Sequence, residues 1–254
     1  TIFILLNLYL FFDEGKNFYK NYLKIGLSGI IGGSGLGVAM ITFIYSITNT
    51  SAAVTLLCLA AMPFFTALLA FLFLRERISF NVWISIILAS VGILIMAIGN
   101  TGEKSLAGFI FGLTSSIGFS IFSVTLRWKK ETPKFTTVAF SGLFCFIFAS
   151  IVIIIKDQVF FASSYNGSLF SLHGTLVCFG LILYSIGSKA IPAAELTLLS
   201  LTEVVGGIFW VWLPIFGINE VPSTNTIIGG FFLFVSLIYY SLIMKWNKRY
   251  IALN

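Results

Sequence analysis

Of the ionisable residues in this 254-residue chain, Glu203 has the widest scope for chemistry. It stands near the middle of IPAAELTLLSLTEVVGGIFWVWLPIFGINEVP, the stretch Ile191 to Pro222. Pro192 opens that stretch, and about twenty mostly apolar residues follow, long enough as a helix to cross a bilayer. A carboxylate at such a depth costs roughly 2.5–3.5 kcal/mol on insertion scales, so it usually faces an interior cavity. On one continuous helix, Leu196, Leu199, Ser200, Gly206, Gly207 and Trp210 share its face. Two glycines and a serine beside a carboxylate leave room for a ligand or water. The chemistry open to Glu203 is binding of a cationic or amine group, or uptake of a proton. The competing reading is a carboxylate neutralised by hydrogen bonds that serves packing.

The remaining candidates are weaker taken singly. Glu195 falls in the first turn of the same helix, where a carboxylate complements the helix dipole without further purpose; Lys189 is its expected partner. Glu76 lies between Arg75 and Arg77 and reads as a loop-orienting ion pair. Pro63 in mid-span frees a backbone carbonyl and kinks its helix, making a hinge or a coordination point. Gly206 and Gly207 are the corresponding hinge candidates beside Glu203. Tyr45, Asn49, Tyr184, Trp210 and Trp212 could line a path, though such residues are as readily interfacial or packed. His173 is the single histidine, and Cys58, Cys145 and Cys178 stand at no ligand spacing. Neither a metal site nor a cofactor is expected, and the cysteines read as small packing residues. No nucleotide-binding loop or Ser–His–Asp set is present.

Spanning helices must position these groups. The chain is 58% hydrophobic and 9% charged, with a mean hydropathy of +1.04. Soluble domains carry about 25% charged residues, so this is a polytopic membrane protein whose surroundings are the lipid bilayer. Its net charge of +6 is no sign of nucleic-acid binding; in a membrane protein the placement of Lys and Arg matters more. Full spans are expected at Ile25–Ile47, Ser51–Leu74, Phe80–Gly99, Leu106–Trp128, Phe135–Ile155, Leu172–Gly187, Pro192–Phe216 and Thr226–Trp246. Tyr165, Asn166, Gly167 and Ser168 supply turn chemistry ahead of Leu172. The opening run TIFILLNLYLFF would reach only about 18 Å as a helix, and we expect the start of that helix to precede Thr1. Placing Asp13–Lys24 in the cytoplasm and alternating puts 13 of the 15 Lys and Arg inside, with Lys104 and Lys156 outside. The positive-inside rule then makes the C-terminus cytoplasmic. Gly29, Gly33 and Gly37 form one smooth stripe for close helix approach, and Gly108 with Gly112 another.

The chain also repeats itself. Tyr45-Ser-Ile and Tyr184-Ser-Ile each end a helix. A short polar link and an alanine pair follow, Ala52–Ala53 and Ala193–Ala194. Each copy then runs as a long apolar span to an acidic residue and a serine, Glu76/Ser79 and Glu220/Ser223. The alternation puts Glu76 inside and Glu220 outside, so the copies face opposite ways. Inverted repeats are a mark of secondary transporters, with the substrate site near the midplane between them.

The segments PFFTALLAFLFLRERISFNVWISIILASVGILIMAIG and IPAAELTLLSLTEVVGGIFWVWLPIFGINEVPSTNTIIGG resemble the two pseudo-repeats of EamA-type transporters of the drug/metabolite transporter superfamily. The resemblance covers essentially the whole chain. It implies an all-α membrane protein of ten helices in an inverted 5+5 arrangement, here without the first helix and part of the second. Residues 1–99 would form the first repeat and 106–246 the second, with Glu76 and Glu220 as signature residues. It implies a non-enzymatic permease or exporter of a small metabolite, such as an amino acid or amine, working by alternating access in a bacterial inner membrane. Proton coupling and exchange are both open, as is a homodimer. The alternative is a non-transporting scaffold or sensor of the same fold.

Overall fold

The computed structural model describes residues 1–76, 78–98, 103–129, 131–157, 163–213 and 224–252. Helices account for nearly all of them: α1 (Ile2–Glu14), α2 (Lys20–Leu23), α3 (Gly26–Asn49), α4 (Ala52–Leu59), α5 (Met62–Leu69), α6 (Phe80–Ile98), α7 (Glu103–Trp128), α8 (Lys134–Ile155), α9 (Ser164–Gly187), α10 (Ala193–Leu199), α11 (Leu201–Trp212) and α12 (Thr224–Ala252). A π-helical turn, Ala70–Leu74, prolongs α5. Among the described residues, five stretches are long and apolar enough to cross a membrane: Gly26–Asn49, Val54–Leu74, Leu106–Trp128, Lys134–Ile155 and Ser164–Gly187. Phe80–Ile95 and Ile227–Tyr240 are shorter apolar helices. The protein is an all-α, multi-pass integral membrane protein.

Two expectations about the spans need correction. Helix α9 begins at Ser164 rather than Leu172, because Ser163 caps it, its hydroxyl accepting from the Asn166 N–H at 3.4 Å. The cap outweighs the local turn preference of Tyr165–Ser168. The spans that read as continuous over 51–74 and 192–216 are also interrupted, between α4 and α5 and between α10 and α11.

Close packing centres on α3 and α7. The Gly29/Gly33/Gly37 stripe of α3 lies on α8, meeting Thr137, Phe140 and Phe144. Another face of α3 meets α7 backbone to backbone: a Cβ on Gly35 would stand 3.0 Å from the Gly118 carbonyl oxygen. Where lipid supplies no hydrophobic drive between helices, such small-residue contacts hold them together. α7 also packs on α4 and α5, so a helix late in the chain braces an early pair.

Helices α6 and α12 cross at a point that displays the repeat. Matching Ser79 to Ser223 offsets the copies by 144, so Ser85 pairs with Gly229 and Gly92 with Ser236. At the crossing, Gly92 faces Gly229, and the Ser236 hydroxyl donates to the Ser85 carbonyl at 2.8 Å. Under the expected repeat, exchanging the copies turns one contact into the other. A Cβ on Gly92 would lie 2.6 Å from the Gly229 carbonyl oxygen, a backbone atom that cannot rotate away. Gly92→Leu is therefore expected to part α6 from α12 and cost about 1–3 kcal/mol, read as a lowered Tm in detergent.

Candidate functional site

The two interruptions fall within two residues of each other when the copies are aligned on their alanine pairs. Ser51 caps α4, its hydroxyl accepting from the Val54 N–H at 3.2 Å; Pro192 occupies the matching cap of α10. Each helix runs two turns and stops, at Leu59 and Leu199. α5 then opens with Met62 and Pro63, whose ring has no N–H to give to a preceding carbonyl. α11 opens at Leu201 after Ser200, which caps both α10 and α11.

The broken helices cross, α10 against α5 and α11 against α4. Swapping the copies again exchanges the two contacts. Their common core holds Leu56, Leu57, Met62, Ala67, Ala194, Leu198, Leu201 and Val204. Gly207 admits Leu56 of α4, with 2.8 Å between its Cβ position and Leu56 Cδ1. Gly206 faces open space. Gly206 and Gly207, the hinge candidates, lie within α11, and the interruption itself falls at Ser200. The Thr66 hydroxyl of α5 is fully buried and has no hydrogen-bond partner among the described residues.

The break between α4 and α5 is held by hydroxyls that sequence reasoning missed. Ser116 of α7 donates to the Cys58 carbonyl, and Ser120 donates to the Met62 carbonyl at 3.1 Å. The Cys58 thiol donates to the Phe109 carbonyl at 3.7 Å. The i, i+4 spacing of Ser116 and Ser120 is the signal that could have revealed them.

Glu203 sits in the first turn of α11, directly after the second break. Its N–H donates to the Ser200 carbonyl at 2.9 Å, and the Ser200 hydroxyl to the Thr197 carbonyl at 2.7 Å. Because the span is broken, the dipole role foreseen for Glu195 falls to Glu203 as well: both carboxylates stand at helix N-termini. The Glu203 side chain is exposed on the outer face of α11, away from the shared core, and forms no ion pair or side-chain hydrogen bond among the described residues. Trp210 is exposed on the same helix. By the alanine-pair offset, Glu203 matches Met62 of α5, whose carbonyl takes the Ser120 hydroxyl of α7. The face carrying Glu203 is thus the counterpart of the face that α7 braces.

The other candidates do not converge on Glu203. Tyr184 packs between Phe119 and Phe122, its hydroxyl 2.7 Å from that of Ser123. Tyr45 lies against Phe111, with the Lys156 ammonium 5.1 Å from its ring centre. Asn49 bonds back to the Tyr45 carbonyl at 2.7 Å and is exposed. Glu195 accepts from the Tyr240 hydroxyl at 2.8 Å rather than pairing with Lys189. Glu76 pairs with Arg127 of α7 at 2.7 Å. Glu220 lies outside the described residues, as do the side chains of Trp212 and Arg77.

An all-α multi-pass bundle with two interrupted, crossing helices has the architecture of a membrane transporter. Residues 1–98 match the EamA-like transporter family. An uncharacterized transporter of Helicobacter pylori is 28% identical over 130 residues, covering 50% of this chain and 42% of that protein. An uncharacterized transporter of Clostridium kluyveri is 25% identical over 234 residues, covering 88% and 73% respectively. The Helicobacter match thus spans less than half of that relative. A solved crystal structure superposes with a TM-score of 0.66 at 16% identity, over 95% of this chain and 85% of that one, a likeness of fold. The chain is thus similar to EamA-like transporters, by the family match over residues 1–98 and by sequence to two uncharacterized transporters.

Proposed function

We propose that the chain is a secondary transporter, rather than an enzyme, moving a small metabolite across a bacterial inner membrane by alternating access. Residues 1–99 and 106–246 serve as the two opposed repeats, with the C-terminus in the cytoplasm. The observation that carries the reading is the pair of interruptions, within two residues of each other on the alanine-pair alignment, in two crossing helices. Helix discontinuities at mid-membrane are where such proteins hold substrate and coupling ions; here Ala60, Ala61 and Ser200 pass through a tightened turn that keeps right-handed helical dihedrals. The concentration of Lys and Arg in the segments assigned to one side supports the orientation.

Glu203, at the second interruption, is the group we assign to a cationic or amine substrate or to the coupling proton. Amines and amino acids are the substrate class that a single carboxylate favours. Ser200 and Trp210 flank it on the chain, while Tyr45, Asn49 and Tyr184 take packing roles.

Purified protein in liposomes, assayed with a panel of amines, amino acids and other metabolites under an imposed pH gradient, tests this. Flux of at least one class is expected. Glu203→Gln should lower it about tenfold or more, the effect of losing ~1.4 kcal/mol of interaction, and flatten its pH dependence. Wild-type flux and pH profile in that variant would remove Glu203 from the mechanism. Absence of flux for every class in folded wild-type protein would favour the scaffold reading.

A further inference from the structure

We infer that Arg127 is the latch closing one end of the path between the broken helices, and that the cycle opens that end by releasing it. The inference rests on the transport reading above. Arg127 lies in the last turn of α7. Its Nε donates to Glu76 Oε1 at 2.7 Å, and Nη1 donates to the carbonyls of Ser188 at 3.2 Å and Ile191 at 2.6 Å.

Each partner belongs to a segment joined to one of the interrupted helices. Glu76 ends the π-helical turn that prolongs α5. Arg75, in the left-handed region at φ 54°, turns the chain there, and the Glu76 N–H donates to the Ala70 carbonyl at 3.3 Å. Ser188 to Ile191 form the link that enters α10. One guanidinium therefore ties the end of the first broken helix to the start of the second. Lys134 of α8 braces the same link, its Nζ 2.9 Å from the Ser188 hydroxyl. Directly related in packing is a small plug, Ala70, Val124 and Ala193, one residue from each of the three tied segments and all nearly inaccessible.

The opposite end is built otherwise. There Ser46 bonds Thr55 and the Gly108 carbonyl, Gly108 lies on Thr50, and Lys156 rests over Tyr45. Among the described residues, Arg127–Glu76 is the only ion pair. Its side chains are 26% and 23% exposed, so water can replace each bond as it breaks. A charge-assisted fork is strong enough to favour a closed state, yet a partly solvated one can part on the time scale of a transport cycle.

Thiol labelling tests the latch without a substrate. Ala193→Cys is placed in a background of Cys145→Ser and Cys178→Ser, with Cys58 kept as a buried internal control. The protein in proteoliposomes reacts with a maleimide, and each site is read by mass spectrometry. Glu76→Gln is expected to raise labelling at position 193 about tenfold through a shifted local opening. Arg127→Gln should raise it further, and Arg127→Lys, which keeps the charge but loses the fork, should fall between. Cys58 should stay protected throughout. Unchanged protection at position 193 in both Glu76→Gln and Arg127→Gln overturns the latch. Should Arg127→Gln expose Cys58 as well, Glu76→Gln decides, since it leaves both carbonyl contacts in place. Failure of the transport reading is separately visible: flux would be absent while labelling still responded.

Discussion

Gly118→Leu is expected to leave no folded protein. A Cβ at that position would stand 2.5 Å from the Gly35 carbonyl oxygen and 3.2 Å from both the nitrogen and the Cβ of Ala39. The obstructing oxygen is backbone, and it belongs to the helix that α7 contacts most extensively. Four added carbons must push α3 and α7 apart along their whole contact. That would pull the Ser115 hydroxyl from the Ala39 carbonyl, a bond of 2.9 Å. Ordinary overpacking costs about 1–3 kcal/mol; here the loss extends over an entire helix pair. Size-exclusion chromatography in mild detergent should show loss of the monodisperse peak. Gly118→Ala should survive with a Tm lower by a few degrees, and Gly180→Leu, in open space, should be neutral. A normal peak from Gly118→Leu would mean that α3 and α7 are not held by backbone contact.

The second large effect is expected from removing the two α7 hydroxyls that support the first helix break. Ser116→Ala/Ser120→Ala strips donors from the carbonyls of Cys58 and Met62. Hydrogen bonds between spanning helices average about 0.6 kcal/mol and reach about 1.7, so the pair should cost ~1–3 kcal/mol. For a protein of this size that lowers Tm by roughly 5 °C. The more telling readout is Cys58, which is fully buried at the break. Its maleimide labelling should speed up several-fold as the α4–α5 junction loosens. Thr114→Ala serves as the control, because Thr114 is half-buried and, among the described residues, bonds only back to Ile110 of its own helix. Equal labelling in the double variant and the parent would show that the break supports itself.

Much of the architecture was legible because apolar length and Lys/Arg placement follow directly from the bilayer. The segments assigned to one side, 75–76, 127–134 and 188–191, do meet in the structure. The helix breaks were not legible. Ala60, Ala61 and Ser200 are small residues in apolar runs, and hydropathy does not register a single tightened turn. Pro63 marked the first break only approximately, since a proline is tolerated within the first turn of the helix that follows it. Tyr45 and Tyr184 are candidates as polar-edged aromatics that could line a path, a trait that packed tyrosines share; one lies against Phe111 and Lys156, the other between Phe119 and Phe122. Arg127 was read as a topology marker, since a lone arginine at a helix end carries no sign of its partners 51 and 64 positions away.

The position of α7 bears on how the molecule comes into being. Although it opens the second half of the chain, its serines and glycines are matched to α3, α4 and α5 of the first. A nascent chain released into the membrane at residue 99 would hold a fractured helix whose carbonyls lack these donors. Assembly of the early segments must then wait until translation has passed Trp128. The seam expected from the amino-acid pattern falls before α7, and the unit that becomes stable during biogenesis straddles it.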